Sequence, residues 1–358
     1  MDLAQFKNPE LAKGLVDSIK MLAPEQATLM EVCGTHTVAI ARNGIRSLMP
    51  EGMRLASGPG CPVCVTANYD IDTVIALARI PDVMITTFGD MTRVPGSTSS
   101  LLKEQADGRS VNIVYSPLDA LKIAQDNPDK EIVFVGVGFE TTTPLVAMAI
   151  RRAEALALKN FTVFAAHKTM PGALEAIVND PQLKVDALIL PGHVSTIIGM
   201  KPYEFLAKKY GIAGVITGFE PVDVLQGIAM IARQLHEGRS EIEIAYARGV
   251  MADGNPTAIA AIDEVFEPCP AQWRGLGEIP DSGYRIRSQY EKFDAVKKLK
   301  PHVEETKEHK GCSCGDILRG IVAPNECPLF RKVCTPENPV GPCMVSSEGS
   351  CAAYFRYY

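Results

Sequence analysis

The sequence has 358 residues, of which 46% are hydrophobic and 22% are charged, and its formal net charge is −6. This composition indicates a soluble globular protein of two or three domains, and the lack of a basic surplus argues against nucleic-acid binding. The first 25 residues carry Asp2, Glu10 and Asp17 among their apolar positions, so they predict neither a signal peptide nor a membrane span.

Short apolar, β-branched runs alternate with helical sequence along the chain, which is the pattern of an α/β protein. A first group of predicted strands covers Thr28–Val32, Met53–Ala56, Val83–Thr87 and Val111–Tyr115. A second group follows the turn at 127–129 and covers Glu131–Val135, Phe161–Ala165, Val185–Leu190, Val215–Ile216 and Ile242–Tyr246.

The two groups of strands predict two parallel-sheet α/β domains around a crevice, at residues 1–128 and 129–283. A small cysteine-rich domain follows at 284–358. These boundaries leave room for the chain to cross between the sheets. The charged stretch Glu291–Lys310 predicts a solvated helix that leads to the cysteine-rich end.

The loops after the predicted strands contain most of the chemically reactive side chains. In open parallel sheets, the loops at the carboxyl ends of the strands line the ligand crevice, so these residues are candidates for function. The first domain carries the motifs CGTHT and GPGCPVC and the second carries GFETT and PGHVS, at Cys33–Thr37, Gly58–Cys64, Gly138–Thr142 and Pro191–Ser195 respectively.

Two of these loops contain cysteine. Cys33 and His36 can share a metal ion or form a thiolate–imidazole pair, although a buried inert cysteine and a hydrogen-bonded histidine are commoner for such residues alone. Cys61 and Cys64 form a C-x-x-C motif after a glycine-rich turn, which is typical of a dithiol that closes to a disulfide. A zinc knuckle is the alternative, but the chain has no second C-x-x-C to complete it.

Six of the ten cysteines lie within the forty residues 312–351 near the C-terminus, with the spacing Cys312-x-Cys314-x12-Cys327-x6-Cys334-x8-Cys343-x7-Cys351. In a cytoplasmic protein, which we expect here, such density indicates metal or redox chemistry more readily than a disulfide framework. Zinc sites usually show paired C-x2-4-C knuckles, whereas single cysteines from separate loops suit a [4Fe-4S] cluster. Four ligands would leave two cysteines for a redox dithiol. Structural zinc and disulfides remain alternatives.

Together with the terminal run Gly341–Tyr354 (GPCMVSSEGSCAAY), the four strand-end motifs resemble the HypD family of hydrogenase maturation proteins, in the same order and over the whole chain. The resemblance implies an assembly protein that binds iron and on which the Fe(CN)2CO group of [NiFe]-hydrogenase is built. It implies a HypC-type small chaperone that supplies another cysteine to the iron, a HypE-type cyanide donor and, indirectly, the hydrogenase large-subunit precursor. From the charge and hydropathy of the sequence we expect neither nucleic acid nor a membrane as a partner.

The resemblance also assigns roles to individual residues. Cys33 would be the iron-binding thiolate, with His36 beside it or acting as a proton carrier. The redox dithiol would be Cys61 and Cys64.

At the C-terminus the family's [4Fe-4S] site resembles that of ferredoxin–thioredoxin reductase. On that model, the cluster ligands would be Cys312, Cys327, Cys334 and Cys351, and the nearby redox pair would be Cys314 and Cys343. Cys269 fits no ligand pattern and is given no role.

Two other functions stay open at the level of the sequence. An iron–sulfur-dependent protein disulfide reductase would reduce a partner without forming an iron–cyanide product. A passive, metal-stabilised scaffold would keep its activity after exchange of Cys33, Cys61 and Cys64. A P-loop ATPase is disfavoured because the chain has no G-x4-G-K-[ST] loop.

Overall fold

The computed structural model describes residues 8–358, which form two parallel sheets, an antiparallel hairpin and the helices around them. The predicted α/β class is confirmed. Residues 1–7 of the first predicted domain, Asp2 among them, lie outside the described residues. The strands are β1 (Ala27–Glu31), β2 (Met53–Ser57), β3 (Val83–Thr87), β4 (Ser110–Ile113), β5 (Glu131–Gly136), β6 (Phe161–Ala165), β7 (Ala187–Pro191), β8 (Ala213–Thr217), β9 (Ile242–Ile244), β10 (Phe266–Trp273) and β11 (Gly277–Ile286).

Helices follow most of the strands. The α-helices are α1 (Pro9–Leu22), α2 (Gly34–Arg42), α3 (Ile45–Leu48), α4 (Pro62–Val65), α5 (Asn68–Ala78), α6 (Gly89–Thr92), α7 (Leu101–Ala106), α8 (Pro117–Asp126), α9 (Thr143–Ala155), α10 (Met170–Val178), α11 (Gly192–Ile198), α12 (Glu204–Tyr210), α13 (Pro221–Glu237), α14 (Pro256–Val265), α15 (Ala295–Leu299), α16 (Cys314–Leu318), α17 (Pro342–Val345) and α18 (Ser350–Tyr357). Short 3-10 helices cover Lys201–Tyr203, Ser288–Phe293 and Pro324–Glu326.

The first sheet has the strand order β2-β1-β7-β8-β9, and the second has the order β4-β3-β5-β6. All pairs within these two sheets are parallel. Every residue of β3, β7 and β8 is buried, as expected for parallel strands that helices cover on both faces. All nine predicted strands are present, with small shifts at their ends.

The predicted division at residue 128 does not separate the two sheets. Strands β1 and β2 pair with β7 in the first sheet, whereas β3 and β4 join β5 and β6 in the second. The chain therefore leaves the first sheet after β2 and returns to it at β7. This arrangement is set by pairing between strands that are distant in the sequence, so the order of the strands along the chain does not predict it.

The hairpin of β10 and β11 was not predicted from the sequence. Prolines interrupt the apolar pattern of β10, and between its two buried ends the residues alternate between half-buried and exposed positions. The hairpin runs across the predicted boundary at residue 283. Its tip reaches the cysteine-rich part of the chain, where Gly275 lies against Gly315.

The predicted helix over Glu291–Lys310 is wrong for most of its length. A 3-10 helix ends at Phe293, α15 covers Ala295–Leu299, and residues 301–309 form no regular element. The break has a local cause, because Lys300 has a left-handed φ of 47° and a proline follows it at position 301. Phe293 and Ala295 are also buried, so the beginning of this stretch packs against the protein.

Candidate functional site

The first sheet has its topological switch point between β1 and β7. Strand β2 lies on one side of β1, while β7, β8 and β9 lie on the other, so the connections leave this point in opposite directions. Such a point opens a crevice at the carboxyl ends of the strands. Cys33 follows β1 here and His193 follows β7.

Cys33 occupies the position just before helix α2 and is buried. Burial raises the pKa of Cys33 to about 12, and the nearby carboxylate of Glu348 adds to this effect, while the backbone amides of Thr35 and His36 oppose it. The free thiol is therefore protonated at neutral pH. Deprotonation requires a positive charge, such as a bound metal ion, at the sulfur.

The glycine-rich loop of the C-x-x-C motif lies directly against the backbone of Cys33. The amide of Gly34 donates a hydrogen bond to the carbonyl oxygen of Gly60 over 2.9 Å. A Cβ atom at Gly60 would lie 2.2 Å from the backbone nitrogen of Cys33. Only glycine permits this approach, which brings the two cysteine motifs into one site.

The buried carboxyl group of Glu31 holds the start of helix α2 in place. Glu31 accepts hydrogen bonds from the backbone amide of Cys33 at 3.2 Å and from the hydroxyl of Thr37 at 2.6 Å. Burial raises the pKa of Glu31 to about 7, although the hydrogen bonds from Thr37 and Ser57 oppose the rise. Glu31 thus fixes the start of α2 and with it the position of Cys33.

His36 lies one turn into α2 and is fully buried. Its Nε2 lies 2.9 Å from the carbonyl oxygen of Gly218 and 2.7 Å from the hydroxyl of Thr217. Burial lowers the pKa of His36 to about 4. The ring is therefore neutral at pH 7 and donates through Nε2, while Nδ1 has no hydrogen-bond partner among the described residues. A charged pair of Cys33 thiolate and His36 imidazolium, one of the possibilities that the sequence left open, is therefore disfavoured.

Three aromatic rings form a stack that runs from this buried histidine to the surface. The ring of Phe219 lies 4.8 Å from that of His36 and 3.9 Å from that of His193, measured between centroids. His193 is exposed. Phe219 therefore covers the ring of His36 on the side that faces His193.

Glu348, which the sequence reasoning did not single out, closes the site from the C-terminal segment. Its carboxylate accepts a hydrogen bond of 2.6 Å from the hydroxyl of Thr35, and its Cβ lies where a side chain at Gly34 would be. A signal for this role was available, because Glu348 is the only charged residue between Glu337 and Arg356.

Cys61 is the capping residue just before the short helix α4, and Cys64 lies within this helix. The sulfur of Cys61 accepts a hydrogen bond from the amide of Cys64 at 3.3 Å, which caps the helix. Cys64 is fully buried, and burial raises its pKa well above the usual value. The sulfur of Cys64 lies 3.9 Å from the carbonyl oxygen of Pro342. A side-chain hydrogen bond with Cys343 lowers the pKa of Cys64 and so partly opposes the effect of burial.

The row of thiols continues beyond Cys64. The sulfurs of Cys314 and Cys343 are 2.9 Å apart, and both residues are buried. Cys314 in turn shares a side-chain hydrogen bond with Cys312. The C-x-x-C motif at the strand end and the cysteine-rich C-terminus are therefore neighbours in the fold.

All six C-terminal cysteines line one apolar cavity, together with Ile317, Leu329, Phe330, Gly341 and Met344. Burial raises the pKa of Cys351 well above the usual value, and four of the other cysteines add to the rise. No group of three or more His, Cys, Asp or Glu side chains in residues 8–358 converges as it would around one metal ion. The six sulfurs as a donor set, rather than the free space of about 10 Å³ between them, suit a larger thiolate-held group such as a cluster.

Two further observations concern Cys269 and the helices. Cys269 lies on β10, half-buried and outside the core that contains the other cysteines of this region. Within residues 8–358, no helix is both long enough and apolar enough to cross a membrane.

Comparison with known proteins gives a consistent relationship over the whole chain. The HypD family model, described as "Hydrogenase formation hypA family", matches residues 10–358. The chain is 46% identical over 369 residues to the hydrogenase maturation factor HypD of Rhodobacter capsulatus, covering 99% of this chain and 97% of that protein. It is 45% identical to HypD of Cupriavidus necator and 47% identical to HypD of Azotobacter vinelandii, in each case covering 99% of this chain and 96% of the relative.

Proposed function

The chain belongs to the HypD family of hydrogenase maturation factors, and on that basis we propose that it is the scaffold on which the Fe(CN)2CO group of [NiFe]-hydrogenase is assembled. The observation that carries this proposal is the row of neighbouring thiols, which begins at the crevice of the first sheet and ends in the C-terminal cavity. In this proposal the row, which runs from Cys61 through Cys64, Cys343 and Cys314 to Cys312, carries electrons to the loop that lies against Cys33.

In this proposal Cys33 is the protein ligand of the iron that is built upon. Iron binding displaces the thiol proton, since a metal ion takes the thiolate form of cysteine. The neutral ring of His36 keeps Nδ1 without a hydrogen-bond partner in the described structure, so this nitrogen can accept a hydrogen bond, whereas the low pKa of the ring disfavours holding the displaced proton. Gly60 lets its loop approach the backbone of Cys33, and Gly34 leaves space for Glu348 next to this cysteine.

The dithiol Cys61–Cys64 supplies electrons for the cyanide step. Release of cyanide as an anion from a sulfur-bound group takes two electrons, and closing two thiols to a disulfide yields two electrons and two protons. The disulfide is reduced again by exchange with the Cys314–Cys343 pair, whose sulfurs lie next in the row.

The C-terminal cavity fits a [4Fe-4S] cluster in its donor set, and we propose Cys312, Cys327, Cys334 and Cys351 as the ligands. When bound, the cluster supplies electrons singly, and the adjacent dithiol collects them in pairs. Reduced thiols and such a cluster both suit the cytoplasm, which is the location we propose.

The partners follow from the same scheme. A HypC-type small chaperone adds a second cysteine to the iron, and a HypE-type protein donates cyanide. A groove of about 480 Å³ lies along helix α2, lined by Thr35, Val38, Arg42 and Phe219 among others, and we propose it as the route by which the chaperone's cysteine approaches the start of this helix.

Infrared spectroscopy of the anaerobically purified complex with the HypC-type chaperone tests the function. The wild-type complex is expected to show cyanide and CO stretching bands, and the Cys33→Ser complex is expected to lack them while keeping the visible absorption of the cluster. Cys269→Ser is the matched control, because Cys269 lies away from the thiol row and its exchange should leave all bands unchanged.

Other outcomes discriminate between the functions. Full bands in the Cys33→Ser complex would mean that the iron is held elsewhere, with Cys61 or Cys64 as the next candidates. A wild-type complex without bands that reduces a protein disulfide would favour the reductase. Activity that survives exchange of Cys33, Cys61 and Cys64 together would favour the passive scaffold.

A further inference from the structure

The tip of the hairpin β10–β11 is wedged between the two helices that carry the C-x-x-C and C-x-C motifs. The amide of Arg274 donates a hydrogen bond to the carbonyl oxygen of Val65 at 2.9 Å, at the end of α4. On the other side, a Cβ atom at Gly275 would lie 2.4 Å from the Cα of Gly315, in α16. Gly275 has a φ of +78°, so glycine is required both by the turn and by this contact.

This wedge holds a buried positive charge. The side chain of Arg274 is 8% exposed, and its guanidinium donates to the carbonyl oxygen of Thr66 at 3.1 Å and to Oδ1 of Asn68 at 3.2 Å. An ion pair with Glu308 spans 3.7 Å, and the Glu308 side chain is 60% exposed. A buried cation with one solvent-exposed counterion retains much of its field toward the protein interior.

The C-x-C motif lies beside this buried charge. Gly275 follows Arg274 in the chain and packs against Gly315, which follows Cys314. The hairpin tip therefore places a buried guanidinium next to the segment that carries Cys312 and Cys314.

We propose that Arg274 is a positioning residue that supplies the buried countercharge for the group held in the cysteine cavity and thereby raises its reduction potential. A cluster held by four thiolates is anionic and gains one more negative charge on reduction, so a fixed cation nearby stabilises the reduced form more than the oxidised form. The inference rests on the proposed cluster at Cys312 and its partners.

The test is a redox titration of the anaerobically purified full chain, followed by visible absorption. Arg274→Gln removes the charge while it keeps hydrogen-bonding groups, and we expect at least a tenfold shift of the equilibrium toward the oxidised form, which is about 59 mV for one electron. Arg274→Lys keeps the charge and should recover more than half of that shift. Glu308→Gln removes the counterion and should move the potential in the opposite direction.

Arg319→Gln is the matched control, because Arg319 directly follows α16 but pairs with Asp180. Its potential should equal that of the wild type. If Arg274→Gln does not retain the group, the Glu308→Gln variant decides alone, since Glu308 is exposed and its exchange spares the core. An Arg274→Gln protein with a full cluster and an unchanged potential overturns this inference only. A wild-type protein with zinc and no labile sulfide overturns it together with the proposed cluster.

Discussion

At the scale of single residues, the site depends on positions where no side chain is tolerated. The loop that carries Cys61 passes so close to Cys33 that Gly60 has no space for a Cβ atom. The sequence marked this loop as a glycine-rich turn, but it did not show which backbone the glycine meets. Contact between segments some thirty residues apart is a property of the folded sheet.

Replacing Gly60 by alanine is therefore expected to displace the loop from Cys33. The added methyl group would overlap the Cys33 backbone, and overpacking of this kind costs about 1–3 kcal/mol. Thermal unfolding should report a lower melting temperature, and thiol labelling should report faster modification of Cys33 as the loop moves away.

Gly14→Ala is the matched control for this exchange. Gly14 lies in the middle of α1 and a Cβ atom there meets nothing within 4 Å. Alanine at this position should stabilise the helix by about 0.5–1 kcal/mol. A Gly60→Ala protein as stable as the wild type, with unchanged labelling of Cys33, would contradict the close approach.

At the scale of elements, three short helices bring the dithiol motifs together. Helix α4 carries Cys64, α16 begins with Cys314 and α17 contains Cys343. The strand ends, the motifs and the α/β class were all predictable, because each leaves a local pattern in the sequence. It was not predictable that these helices lie next to one another. Their contact depends on a chain that leaves the first sheet and returns to it, and on a hairpin whose prolines obscure its strand pattern.

We predict that mild oxidation of the reduced, cluster-free chain forms disulfides along this row. A disulfide spans about 2.05 Å between sulfurs, so the pair Cys314–Cys343 at 2.9 Å needs only a small movement to close. Peptide mapping by mass spectrometry after equilibration with glutathione should recover this link and the Cys61–Cys64 link, with a mixed Cys64–Cys343 link as a minor product.

The internal control is Cys269, which lies on the hairpin strand β10 and should remain unlinked in the same digest. Links to Cys269 as abundant as the link between Cys314 and Cys343 would show that proximity in the folded chain does not govern the pairing. Absence of the Cys314–Cys343 link alone would remove this pair from the proposed row.

At the scale of the whole molecule, the cysteine-rich end is part of the central core. Most residues of its cavity belong to the same buried cluster as Met30 in β1, Val32 just after it, and Leu188 and Leu190 in β7. Helix α18 also packs against α2, which carries His36. The C-terminal region therefore does not form a core of its own, and a group bound there is coupled to the stability of the first sheet.

The last prediction uses this coupling to separate ligands from redox cysteines. Cys327→Ala and Cys314→Ala each remove one buried thiol, so they leave cavities of the same kind. If Cys327 is a cluster ligand, its exchange should abolish bound iron and labile sulfide. Binding energy that contributes to folding is then also lost, and the melting temperature should fall by about 5–10 °C, the change that a loss of a few kcal/mol produces in a protein of this size. Cys314→Ala should keep iron, sulfide and a melting temperature close to that of the wild type.

The reverse pattern would exchange the roles of Cys327 and Cys314. Loss of the cluster from Cys327→Ala without a change in melting temperature would contradict the coupling between the cavity and the first sheet.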